Sequence, residues 1–149
     1  MNGKEIKVLI FKLNSEYYAT EIIDVERILE YSEPTKLPDT PNFVEGVINY
    51  EGNILPVVNI ARRFNVAEKE KNGESKIIVI KDGANKVGMI VDLVSEVRDV
   101  PRIDVDNPPE IAVNISKRYI KGLIKLENKI IIFLDLAKIL SQEEKTYIY

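Results

Sequence analysis

The chain contains no cysteine, no histidine and no tryptophan. Without cysteine there is no disulfide framework, no thiolate nucleophile and no Cys-ligated zinc site. Without histidine the usual general base near neutral pH is missing, as is the commonest transition-metal ligand. No G-x-x-x-x-G-K-[ST] or G-x-G-x-x-G motif occurs, so no phosphate-cradling loop is expected. Long apolar runs are lacking too. The longest, Ile130 to Leu134, is far too short to span a bilayer. Met1 to Glu5 carries no apolar export core. These absences predict a soluble, cytoplasmic protein without direct membrane insertion. A formal net charge of -3, with no dense basic run, argues against a nucleic-acid partner.

What is present fits an ordinary globular chain. The 149 residues are 45% hydrophobic and 30% charged, enough for one domain or two joined halves. Short apolar runs and period-two alternation dominate. Strands are expected over Val8–Leu13, Tyr17–Ile22, Phe43–Tyr50, Ile54–Ile60, Lys76–Lys81, Val87–Val91, Tyr119–Leu126 and Ile130–Leu134, with polar turns between them. Pro56 inside one of these marks an edge or a bulge. Asp24 is expected to cap a short helix carrying Val25, Ile28 and Leu29 on one face. Ala61–Phe64 reads as one helical turn, and Ala137–Leu140 as the start of a short C-terminal helix. The Pro34, Pro38 and Pro41 segment, the charged stretch 67–75 and the segment from Asp104 to Pro109 read as connections.

An internal repeat runs through this pattern. With a constant shift of 76 residues, Phe43–Phe64 falls on Tyr119–Leu140, pairing Gly46 with Gly122, Glu51 with Glu127, Ile54 with Ile130 and Ala61 with Ala137. Phe11–Ile28 similarly falls on Ile80–Val97. Two related β-rich halves with little helix imply small barrels or a sandwich.

Catalytic chemistry is hard to place. Asp92, Asp99 and Asp135 flank strands and are the only carboxylates with any claim to an acid–base role. Asp104-Val105-Asp106-Asn107 lacks the central glycine and spaced glutamate of a calcium loop. No catalytic residue, metal ligand or cofactor is assigned, and an enzyme is not expected. The alternative is a small barrel binding another protein or single-stranded nucleic acid. Its natural stacking residues, Phe11, Tyr17 and Tyr18, do not sit among clustered Lys or Arg in the sequence.

The segment Pro41-x-Phe43-Val44-x-Gly46-Val47-Ile48-Asn49-x-x-Gly52-x-Ile54-x-Pro56-Val57-Val58-x-Ile60 resembles the signature of the CheW family of chemotaxis coupling proteins. Leu37-Pro38, Tyr18-Ala19, Val25-x-x-Ile28-Leu29, Val87-Gly88-x-Ile90-Val91-Asp92-x-Val94 and Tyr119-Ile120-x-Gly122 match in the same order, covering roughly Val8 to Leu140. The resemblance implies a mainly all-β fold of two interlocked SH3-like five-stranded barrels with short helices, one of them C-terminal. It implies one domain over residues 1–149, with one subdomain near 14–81 and another near 82–143 joined by the N-terminal strand 6–13. It also implies a non-enzymatic scaffold that couples chemoreceptors to the chemotaxis histidine kinase, recruited from the cytoplasm to membrane-associated receptor arrays. The partners would be the receptor's cytoplasmic tip and the kinase regulatory domain. A free-standing adaptor is expected, because the chain begins and stops tightly around the family pattern.

Candidate receptor-binding residues are Val25, Arg27, Ile28, Leu29, Glu51, Gly52, Val97 and Val100, the apolar ones lining a cleft between barrels that takes a helical hairpin. Candidate kinase-binding residues are Val47, Ile48, Asn49, Tyr50 and Arg62, with Lys121–Lys125 as the equivalent strand end. The family usually carries an acid at the position of Arg27 and an arginine at that of Glu51. With both signs reversed here, the two side chains are expected to face each other as an ion pair of swapped polarity. Asn59 and Ala61 also depart from the family's usual Asp and Arg, with Arg62 adjacent.

Overall fold

The computed structural model describes residues 4–108 and 118–149. Among the described residues, eleven strands form two sheets. In chain order they are β1 (Glu5–Leu13), β2 (Glu16–Glu21), β3 (Val25–Glu30), β4 (Val44–Tyr50), β5 (Asn53–Asn59), β6 (Lys76–Asp82), β7 (Asn85–Val91), β8 (Leu93–Pro101), β9 (Val105–Asp106), β10 (Ile120–Leu126) and β11 (Lys129–Leu134). Helix α1 spans Ile60–Phe64 and α2 spans Gln142–Ile148, with 3-10 turns at Ile22–Asp24, Arg102–Asp104 and Leu136–Ile139.

One sheet has the order β8-β1-β2-β11-β10-β9 and the other β3-β6-β7-β5-β4. Neighbouring strands pair antiparallel except β11 with β2 and β5 with β7, which are parallel. Each sheet therefore has five full strands. The sixth, β9, is two residues long, and the lone Thr35–Val47 bridge stands at the matching place in the other sheet. β1 and β2 belong with the C-terminal strands, so the central sheet is inserted into the other one.

The core explains the unbroken apolar runs. Successive side chains of a strand point to opposite faces. On β1, Val8 and Ile10 enter a cluster with Ala19, Val100, Ile124, Ile131 and Phe133 inside its own sheet. Leu9, Phe11 and Leu13 enter a second cluster with Val58, Ile78, Ile80, Val87, Met89 and Leu134, which both sheets share. On β6, Ile77 and Val79 face the central sheet's own interior while Ile78 and Ile80 face the shared core. A strand covered on both faces has no place for polar alternation.

The internal repeat is present in detail. β4–β5 and β10–β11 are equivalent hairpins, each with a register shift just before a glycine, Gly46 or Gly122. A Cβ on Gly46 would lie 2.2 Å from the Thr35 carbonyl oxygen, and one on Gly122 would lie 2.6 Å from that of Asp106. Asn59 N–H donates to the Phe43 carbonyl and Asp135 N–H to that of Tyr119, again 76 residues apart.

Several sequence expectations need correction. Val25, Ile28 and Leu29 lie on strand β3, not on a helix, and Asp24 closes a 3-10 turn rather than capping one. A register shift between Val25 and Arg27 turns Val25 to the shared core and Leu29 to the central sheet's own core, which imitates helical spacing. Pro56 sits in an interior strand without a bulge of its own. Val47, its partner on β4, sends its N–H and C=O to Thr35, so the nitrogen of Pro56 faces away from β4; parallel pairing with β7 starts one residue later, at Val57. The connection after Pro101 holds a 3-10 turn and β9; Pro109 lies outside the described residues. The residues Leu136–Ile139 form a 3-10 turn, and the C-terminal α-helix comes after it.

Candidate interaction surfaces

β3 and β4 stand at opposite ends of their sheet's hydrogen-bonding order, yet their side chains meet. The Tyr50 hydroxyl donates to Glu26 Oε2 at 2.6 Å, and Arg27 Nη2 reaches Glu51 Oε2 at 3.2 Å. The sheet thus curls until its two edge strands touch, and side chains close the barrel. The hairpin that carries Glu51 has a two-residue loop with positive φ at both Glu51 (52°) and Gly52 (83°), the geometry that matches strand twist. Asn49 Oδ1 accepts from Gly52 N–H at 3.0 Å and holds this loop.

The seam is electrostatically ordered. Lys86 Nζ lies 3.0 Å from Glu26 Oε2, and both Lys86 and Arg27 sit over the Tyr50 ring. The hydrogen bond from Tyr50, then that from Lys86, holds the Glu26 carboxyl below its ordinary value. Burial, reinforced by the Glu26 carboxylate, pushes the Tyr50 phenol up to about 12. The other barrel repeats the device: Arg98 Nη2 on β8 lies 3.6 Å from Glu127 Oε2 in the β10–β11 turn. The 76-residue shift lays Glu127 on Glu51, but the overlay of Phe11–Ile28 on Ile80–Val97 lays Arg27 on Glu96, so the repeat signals only the acid of this second pair.

Of the receptor-binding candidates, Arg27, Ile28, Glu51, Gly52 and Val97 are exposed. Ile28 and Val97 lie on the edge strands β3 and β8, 38% and 49% exposed. Val100 is buried in its barrel's core, and Val25 and Leu29 pack against core clusters, so these three do not line an open groove. Among the kinase-binding candidates, Val47 and Tyr50 line a cleft of about 480 Å³. Leu37, Ile54 and Pro56 share it from the same side, with Lys86, Ile148 and Tyr149 opposite. Asn49 is exposed, whereas Ile48 packs inward.

Arg62 lies away from the other four, at the far end of β4–β5. Its Nε donates to Glu68 at 2.9 Å, Nη1 to the Asn42 carbonyl at 3.2 Å and Nη2 to Glu45 at 3.3 Å. Asn59 accepts from Arg62 N–H and donates to both Glu45 and Glu68. Arg62 is thus engaged within the chain, pinning the segment after α1 to β4. At the other equivalent strand end, Lys121 bonds Glu21 at 2.7 Å.

The carboxylates weighed for catalysis are dispersed in structural contacts. Asp92 accepts from Asn14 N–H at 2.6 Å, Asp99 pairs with Lys7 and Asp135 with Lys138. Asp106 pairs with Lys125 at 3.8 Å. Among the described residues no group of three or more acidic, His or Cys side chains is placed to hold a metal ion, and no helix is long and apolar enough to cross a membrane. Phe11 and Tyr18 are buried. Tyr17 does have cations over its ring, Lys12 at 5.1 Å and Lys129 at 4.4 Å; the second comes from β11 and is distant in sequence.

Comparison with known proteins fits this architecture. Residues 7–144 match the family described as CheW-like domain. The chain is 34% identical to the chemotaxis protein CheW of Klebsiella aerogenes over 136 residues, 91% of this chain and 82% of that one. It is 34% identical to the chemotaxis protein CheW of Thermotoga maritima over 142 residues, 93% of this chain and 90% of that one. The crystal structure of the scaffolding protein TtCheW from Thermoanaerobacter tengcongensis superposes with a TM-score of 0.85 at 32% identity, covering 93% and 90% of the two chains. With the repeat, the two closed barrels and these similarities together, the chain belongs to the CheW-like domain family.

Proposed function

We propose that this chain is a non-enzymatic scaffold of chemotaxis, binding the cytoplasmic tip of a chemoreceptor and the regulatory domain of the chemotaxis histidine kinase at once. The observation that carries the reading is likeness along nearly the whole chain to a scaffolding protein of the same family. A helical receptor hairpin needs an apolar strip with polar rims. Ile28 and Val97 supply exposed apolar contact, and Arg27, Glu51 and Gly52 form a charged rim beside Ile28. Val25, Leu29 and Val100 hold those strands from beneath. The kinase domain would meet the cleft walled by Val47 and Tyr50, with Asn49 at its turn, while Arg62 fixes the far end of the hairpin. Interfaces of this kind bury about 1,200–2,000 Å² when stable. Recruitment to receptor arrays would follow from receptor binding, and no cofactor takes part.

Calorimetric titration with a receptor-tip hairpin and with the kinase regulatory domain, from the same organism, tests the reading. Heat of binding with each alone, and with the second after the first is saturated, is the expected result. A folded sample that binds neither would end the reading.

A further inference from the structure

Helix α2 is fastened mainly by polar contacts. None of its seven residues is buried. Its N-terminus is closed by a capping box, in which Ser141 Oγ accepts from Glu144 N–H and Glu144 accepts from Ser141 N–H. Beyond that, three polar contacts fasten it. Arg63 on α1 donates to Glu144 at 3.0 Å, Lys145 Nζ lies 3.1 Å from Asp82 Oδ2, and the Tyr149 hydroxyl donates to the same Asp82 oxygen at 3.0 Å. Ile148 is its one residue packed on the shared core. Asp82 ends β6, so one carboxylate on the central barrel receives two of the three fastenings.

Open space lies on both sides of the helix. Ile148 and Tyr149 form a wall of the 480 Å³ cleft that also contains Leu37 and Ile54. A polar seam of about 420 Å³ runs between Asp82, Asn85 and the residues Gln142, Lys145, Thr146 and Tyr149. A helix this short does not persist alone in water, so undocking and melting are one event. Segments with few buried apolar contacts open below the global unfolding free energy.

We propose that α2 is a releasable strap latched at Asp82, which opens as a local unit while both barrels stay folded and takes one wall of the cleft with it. Release widens the apolar opening beside Ile54 and Pro56 and uncovers the part of the shared core under Ile148. The strap therefore sets how much of that cleft any partner can reach. This inference stands on the contacts of α2 and does not depend on which partner uses the cleft.

Hydrogen exchange on the full chain tests it, comparing the parent with Asp82→Asn and Lys145→Met. In the parent, amides of residues 143–149 should exchange well ahead of β6 and β7. Asp82→Asn should speed those amides about tenfold or more, the scale of losing charge-assisted hydrogen bonds, with β6 and β7 unchanged. Lys145→Met, which keeps Asp82 and its bond from Tyr149, should give a smaller acceleration. Binding of an environment-sensitive apolar dye should rise in step. Exchange of α2 at the core rate in the parent overturns the proposal. So does equal acceleration of strap and core in both variants. A strap that opens without added dye binding overturns its link to the cleft.

Discussion

The ion pair Arg27–Glu51 shows what a single contact does here. Both side chains are about half exposed, so the pair stabilises the fold by only about 0–1 kcal/mol. Its position at the barrel seam matters more than its strength. Arg27→Glu and Glu51→Arg should each shift the denaturant midpoint little, weaken binding of the receptor fragment, and recover binding when combined. A double variant no better than its parents would remove the pair from recognition. Neighbouring Glu26 and Tyr50 make stability depend on pH at both ends. Glu26 titrates below its ordinary value near 4.5, so its contribution is present above that value and is lost as pH falls through the lower, folded one. Tyr50, raised to about 12, contributes below its ordinary value of 10 and loses that contribution as pH rises from 10 towards 12. Chemical denaturation across pH should show both slopes, with Glu26→Gln flattening the acid one and Tyr50→Phe the alkaline one. Arg62 is different again, because its guanidinium meets three acceptors in separate directions. Arg62→Ala should cost about 1–3 kcal/mol, and Arg62→Lys should not restore it, since an ammonium cannot reproduce the fork.

The hairpins were readable in the sequence because their turns carry chemistry of their own. Asn14-Ser15, Glu51-Gly52, Gly83-Ala84 and Glu127-Asn128 all lie in the polar gaps the sequence marks. Edge strand β3 was not readable, since a one-residue register shift moves its apolar side chains to two different cores and leaves a spacing of three and four. The C-terminal helix was readable but its start was not: the apolar run at Ala137–Leu140 drew it one turn too early, although Ser141-x-x-Glu144 is a capping-box signature. The candidate surfaces were half legible. Charge at positions 27 and 51 could be paired by reasoning, but the burial of Val100 and the inward packing of Val25 and Leu29 depend on strand partners distant in the chain. Gly46 and Gly122 give the element scale its sharpest test. Gly46→Ala forces a Cβ into the Thr35 carbonyl and should cost about 2–4 kcal/mol. Gly52→Ala, with nothing within 4 Å of the added carbon, should cost clearly less despite its positive φ. Thermal midpoints of the two variants would decide.

At the scale of the molecule, the shared core couples the barrels. On sheet membership we propose dividing the chain into a central barrel of residues 25–91 and an outer one of 5–21 with 93–134. Met89 lies between them, fully buried in the shared core, so Met89→Ala should cost about 2–5 kcal/mol and lower both barrels together in one transition. Amide signals from β1 and from β6 that disappear at different denaturant concentrations would show the barrels to be separable.

The insertion of one barrel into the other also orders events in time. The β1–β2 hairpin is synthesised before the other described strands, but β1 needs β8 and β2 needs β11 before either sheet edge is covered. At usual rates of synthesis the wait is on the order of ten seconds, during which the central barrel can close. For that interval Ile6, Val8 and Ile10 have no core to enter. Among the described strands β1 thus waits longest for its core partners, and its apolar side chains are where a chaperone would have most to do.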